Sequence, residues 1–133
     1  MPHKLLFVGM GNSCRSKMAE GFARNYGLQA ESVGIMPAHE LSHAAVLAMR
    51  ERGIDIGHYR PTRLDFRKLG EFERILVMGD AIAQHSPDLH FHDNWKLEDP
   101  TNHPLPVVRG VRDEIERRVR RLADEIRQWS PPL

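Results

Sequence analysis

The stretch Lys4-Leu5-Leu6-Phe7-Val8-Gly9-Met10-Gly11-Asn12-Ser13-Cys14-Arg15-Ser16 decides the fold. Its first half is an unbroken apolar run of strand length, the signature of a strand buried on both faces. Its second half, Gly9 to Ser16, is a glycine- and asparagine-containing loop. Helical spacing follows at Met18, Ala19, Phe22, Ala23 and Tyr26, with Gly27 as the stop. A buried strand that turns through glycines directly into a helix leaves main-chain N–H groups free at the helix N-terminus. Those donors, with the helix dipole, favour a tetrahedral anion. Arg15 can add a bidentate, charge-assisted contact. On the glycines alone, an ordinary strand–helix turn with a solvent-facing arginine is the favoured reading, and only the full eight-residue string is more specific.

Working outward, Ala30 to Ile35 reads as a second strand ending at Pro37. Ser42 reads as the cap of a helix over Ala44 to Arg52, which Gly53 ends. Arg74 to Met78 is the next buried strand, and Gly79-Asp80 turns it into a short helix. Leu89 to His92 is a candidate for a last, short strand, and Asp93 to Pro106 for a loop. Val108, Val111, Ile115, Val119, Leu122, Ile126 and Trp129 mark one long amphipathic helix. The alternation of strand and helix predicts one α/β domain over residues 1–133, a doubly wound, four-stranded parallel sheet with helices on both faces. In such a sheet the first strand–helix turn lies near the switch point where ligands bind.

The chain has 133 residues, enough for one domain with a real core, and its apolar (41%) and charged (28%) fractions are those of a globular protein. With a formal charge of +1, no strong whole-molecule field argues for nucleic acid or a membrane as partner, and neither is expected. In the last segment Asp113, Glu114, Glu116, Asp124 and Glu125 interleave with the arginines, as on a solvated, ion-paired helix face. No signal-like or membrane-length segment is evident, so the cytoplasm is the expected location. One cysteine, Cys14, excludes an internal disulfide, a two-cysteine redox pair and a cysteine-based zinc site. Among the eight histidines, His90 and His92 would share a strand face, and His39 and His43 a helix face. Neither pair has accompanying ligands at a recognised spacing, so no metal and no cofactor is expected.

Gly11-Asn12-Ser13-Cys14-Arg15-Ser16 followed by Met18-Ala19-Glu20-Gly21 resembles the low-molecular-weight protein tyrosine phosphatase family, and most closely its thioredoxin-coupled arsenate reductase branch. The similarity continues through Ser32-Val33-Gly34-Ile35, Gly53-Ile54-Asp55-Ile56 with His58, Ile75 to Asp80, Asp99-Pro100 and Val111-Arg112-Asp113-Glu114-Ile115. The resemblance implies an oxyanion loop formed by Met10, Gly11, Asn12, Ser13, Cys14, Arg15 and Ser16. It also implies loop support from Asn12, Ser16 and Ser32, and a leaving-group acid at Asp99.

Counting back from Arg15, however, the nucleophile position is Gly9. Such phosphatases attack phosphorus with a low-pKa thiolate, which glycine cannot supply. Arg15 and Asp99 are then the remnants of a catalytic set. Cys14, next to Arg15, points elsewhere and suits a small buried position. The resemblance also implies relay cysteines where this chain has Met78 and Ser86, so arsenate reduction by three thiols is not expected. The family's aromatic residue after the Asp-Pro is replaced by Thr101, leaving Trp95 or His103 as candidates for that wall. The expected function is binding of phosphate, sulfate or a phosphorylated protein without turnover. The alternatives are weak phosphate-ester hydrolysis by water assisted by Asp99, an ordinary phosphatase altered at Gly9, and a purely structural role.

Overall fold

The computed structural model describes residues 4–128. Its elements are β1 (Lys4–Gly9), α1 (Arg15–Asn25), β2 (Gln29–Gly34), α2 (His43–Arg50), β3 (Arg74–Val77), α3 (Asp80–His85), β4 (Asp93–Asn94) and α4 (Leu105–Gln128), with a 3₁₀ helix over Phe66–Glu71. All four strands are parallel, in the order β2-β1-β3-β4. The expected α/β architecture is therefore present. The chain steps from β1 to β2 and then returns past β1 to β3. The strand order thus reverses at the C-terminal ends of β1 and β3, where the loop 9–16 emerges.

β1 is fully enclosed from Leu5 to Gly9, which is why it carries no polar alternation. Phe7 and Phe22 are among the largest fully buried side chains, and α1 packs on β1 and β2 and against α4. α1 ends as expected: Tyr26 caps it, Gly27 adopts φ +82°, and Leu28 N–H returns to Ala23 C=O at 3.0 Å. At α2 the Ser42 hydroxyl accepts from Ala45 N–H at 3.2 Å. Pro106 occupies the first turn of α4, where its missing N–H costs nothing. Trp129, assigned to this helix from its spacing, lies outside the described residues.

The fourth strand differs from the expectation. It is not Leu89–His92 but the two residues Asp93–Asn94, inside the segment expected to be loop. The cause is His92. Its backbone N–H donates to Ile75 C=O at 2.8 Å, while its ring Nδ1 accepts from Ile75 N–H at 2.9 Å. One imidazole thus replaces a ladder acceptor, and regular pairing starts only afterwards. Leu89 is buried as a packing residue in the preceding turn. No helix among the described residues is long and apolar enough to cross a membrane.

Candidate oxyanion site

Residues 9–16 curl around a cavity of about 200 Å³ that Ala38, Asp99 and Thr101 complete. The curl is pinned from outside. Met10, Gly11 and Ser13 turn their carbonyls to the N–H groups of Met36, Ala38 and Ser42, each at 2.9 Å. A planar trans peptide sends its C=O and the next N–H in opposite directions. The N–H groups of Gly11, Asn12 and Cys14 therefore turn toward the cavity. Arg15, Ser16 and Lys17 add the first-turn amides of α1, which have no acceptor within the helix. Cys14, the N-cap, makes no side-chain cap, and no acidic residue occupies that turn.

Asn12 holds the loop's shape. It adopts φ +54°, a left-handed conformation that asparagine tolerates better than most residues. Its Nδ2 donates to the hydroxyls of Ser16 (2.9 Å) and Ser32 (2.8 Å), and its Oδ1 accepts from Thr62 N–H (2.7 Å). Ser32 in turn donates to Glu20 Oε1 at 2.5 Å. Lys17 and Arg24 complete Glu20's pairing at 3.3 and 2.8 Å, and both cations lie over the Tyr59 ring. Burial pulls the Lys17 pKa down, against the upward pull of Glu20. Among the described residues no buried side-chain N or O lacks a partner, as a stable buried network requires. Gly34 fits closely beneath this loop. A Cβ there would lie 2.7 Å from Met10 O and 2.9 Å from Asn12 N, so only glycine lets the backbones meet.

Gly9 is more than a missing side chain. A Cβ built on it would meet Ser16 Oγ at 2.7 Å and Ser16 Cβ at 3.1 Å. The Ser16 hydroxyl thus occupies part of the space a residue at position 9 would need.

Arg15 is buried but lines the cavity. Its Nη1 donates to Leu97 C=O at 3.0 Å, and Nη2 lies 3.7 Å from Asp99 Oδ2. Gly79 makes room for it, since a Cβ at that glycine would come within 2.9 Å of Nη1. Asp99 accepts from the Thr101 hydroxyl (2.7 Å) and N–H (3.0 Å). Partial burial pulls the Asp99 pKa up, but Thr101, Arg15 and His103 outweigh it and leave it below the ordinary carboxylate range. Without ligand Asp99 is therefore an anion facing Arg15, not a loaded proton donor. Burial pushes the Cys14 thiol up to about 11, despite a hydrogen bond with Ser42 and the charge of Arg15. It is an inert, enclosed thiol.

All loop residues singled out from the sequence, with Asp99, surround one cavity, and Ser32 lies just beneath. Neither aromatic candidate lines it. Trp95 is a core residue tilted against Phe7, centroids 5.5 Å apart, and His103 lies outside the lining. Thr101 takes that wall. The histidine faces do not form either, because His39 precedes α2 and His90 and His92 precede β4. Among the described residues no three His, Cys, Asp or Glu side chains gather closely enough to hold a metal ion. Thr62 N–H and Leu97 C=O left no trace in the sequence, since backbone groups carry none. Gly79 did leave one, as a glycine at the end of a buried strand.

Residues 4–130 match the family described as low molecular weight phosphotyrosine protein phosphatase. The chain belongs to that family. Within it, an arsenate reductase of Brevibacillus brevis is 32% identical over 126 residues, covering 90% of this chain and 93% of its own. The solved YwlE arginine phosphatase of Geobacillus stearothermophilus is 31% identical with a TM-score of 0.81, covering 95% of this chain and 94% of that one. An arsenate reductase solved in the phosphate-binding state is 30% identical with a TM-score of 0.81, covering 93% and 98%.

Proposed function

We propose that this chain is an oxyanion-binding member of the family that holds phosphate, sulfate or a phosphorylated protein side chain without turning it over. The observation that carries this reading is the combination at the loop. Residues 9–16, Arg15 among them, line one cavity, while position 9 is a glycine whose side-chain space Ser16 Oγ partly fills. An anion there meets main-chain dipoles and one guanidinium, and no thiolate. That a related arsenate reductase has been solved in a phosphate-binding state supports phosphate as a ligand of this chain. Arsenate reduction by a cysteine relay does not fit the single, buried Cys14. One unpaired thiol accords with residence in a reducing compartment such as the cytoplasm.

Isothermal titration with phosphate, sulfate and arsenate tests the reading. Saturable one-site binding that Arg15→Ala removes is expected, together with no hydrolysis of p-nitrophenyl phosphate and no arsenate reduction in a thioredoxin- or glutaredoxin-coupled assay. Absence of saturable heat, or turnover of either substrate by the unmodified chain, overturns it.

A further inference from the structure

A second, larger hollow of about 990 Å³ opens beside the loop. Its walls carry His39, His43, Arg50, His58 and Arg60, against Glu40 as the single acidic side chain lining it. Asp55 stands behind one wall, with its carboxylate accepting from Gly57 N–H. Among the described residues most arginines outside this hollow are ion-paired, Arg63 and Arg121 being the exceptions. Every arginine of α4 except Arg121 makes an ion pair. Among the described residues neither Arg50 nor Arg60 makes one, although both face the same space.

The hollow is built onto the oxyanion loop. Ala38 lines the loop cavity and His39, the next residue, lines the hollow. The 38–42 wall is tied to the loop through Ala38 N–H on Gly11 C=O and Ser42 N–H on Ser13 C=O. The 57–61 wall is followed at once by Thr62, whose N–H holds Asn12 Oδ1. Its Tyr59 rests under Lys17 and Arg24, the cations that fix Glu20 in the network below the loop. An extended chain advances about 3.3 Å per residue, so a segment with its phosphorylated side chain in the loop reaches the hollow within a few residues.

We infer that the partner of this site is an acidic phosphorylated peptide segment, with its phosphoryl group in the loop of residues 9–16 and flanking Asp or Glu side chains in the basic hollow of Arg50 and Arg60. This rests on the oxyanion-binding reading above and adds the class of ligand. Two unneutralised guanidiniums with imidazole donors beside them complement carboxylates.

Fluorescence anisotropy with synthetic phosphotyrosine peptides tests it, one flanked by Asp and Glu and one flanked by Ala. The acidic peptide should bind about tenfold more tightly, the scale of two partly exposed ion pairs with good geometry. Arg50→Gln combined with Arg60→Gln should bring that ratio close to one. Arg63→Gln combined with Arg121→Gln, an equal charge change elsewhere, should leave it. Equal affinity for the two peptides on the unmodified chain overturns the inference, as does a ratio that survives in the Arg50/Arg60 variant or that falls equally in the Arg63/Arg121 variant. The underlying reading fails separately. If the acidic preference persists with unphosphorylated peptides and Arg15→Ala changes nothing, the hollow stands and the oxyanion loop does not.

Discussion

Placing a thiol at position 9 perturbs both stability and binding, by amounts that follow from the geometry. In Gly9→Cys the new Cβ cannot coexist with Ser16 Oγ at 2.7 Å. The hydroxyl must rotate away and give up the hydrogen bond it accepts from Asn12 Nδ2. One buried neutral hydrogen bond contributes about 1 kcal/mol, and crowding against Ser16 Cβ adds a few tenths, so about 1–2 kcal/mol is lost. For a domain of this size that lowers Tm by about 3–8 °C. The sulfur then lies at the floor of the cavity, among main-chain donors and Arg15, which favour the thiolate. A thiolate about 3.5 Å from an anion repels it by roughly 5 kcal/mol at an effective dielectric near 20, an upper-range figure. Solvent screening in this open cavity reduces that, and phosphate affinity falls at least about tenfold. Calorimetric melting, phosphate titration and p-nitrophenyl phosphate turnover are read on the unmodified chain, Gly9→Ala and Gly9→Cys. Both variants should melt lower, and the cysteine variant alone should hydrolyse the ester and bind phosphate more weakly. The reasoning is refuted if folded Gly9→Cys melts and binds phosphate like the unmodified chain, or if all three proteins turn over alike.

Three further outcomes follow from the same site and its supports. Asn12→Ala removes three hydrogen bonds and leaves alanine at φ +54°, a loss of about 3–4 kcal/mol in urea unfolding, whereas Asn12→Gly, free of the backbone penalty, loses about 1 kcal/mol less. Cys14, with its thiol pushed up to about 11, should resist iodoacetamide near pH 8 until the protein unfolds. Because its folded pKa is raised, its contribution to stability is complete below the unfolded value of about 9 and declines as pH rises toward 11. Glu51 has the opposite sign. Hydrogen bonds from Arg109 and then Arg112 bring its pKa down to about 2, so the stability it contributes is complete above about pH 4.5 and is lost as pH falls toward 2. Acid titration of Tm should therefore be flatter in Glu51→Gln than in the unmodified chain.

The strand, loop and helix of residues 4–25 were legible because they are contiguous and their chemistry is local: an apolar run, glycines, then 3.6-residue spacing. The loop's membership was equally legible, since Gly9 to Ser16 are neighbours in sequence as well as in space. Asp99 was reachable only through resemblance, because nothing local distinguishes a site Asp-Pro from a turn. β4 was not legible, since a two-residue strand has no period to read and His92 substitutes a side chain for the preceding backbone partner. Trp95 was open between site and core, and packing on Phe7 decided for the core. The pinning of the loop by Met36, Ala38, Ser42 and Thr62 was invisible, because it is made through amides that every non-proline residue possesses.

Glycine and cysteine stand a single base apart in the genetic code, yet at position 9 they are separated by the lodging of one hydroxyl. While Ser16 occupies that volume, a codon change to cysteine arrives first as a destabilising change, and any advantage from the new sulfur must exceed that loss from the outset. The serine thereby sets a threshold: any side chain entering at position 9 must begin by evicting it.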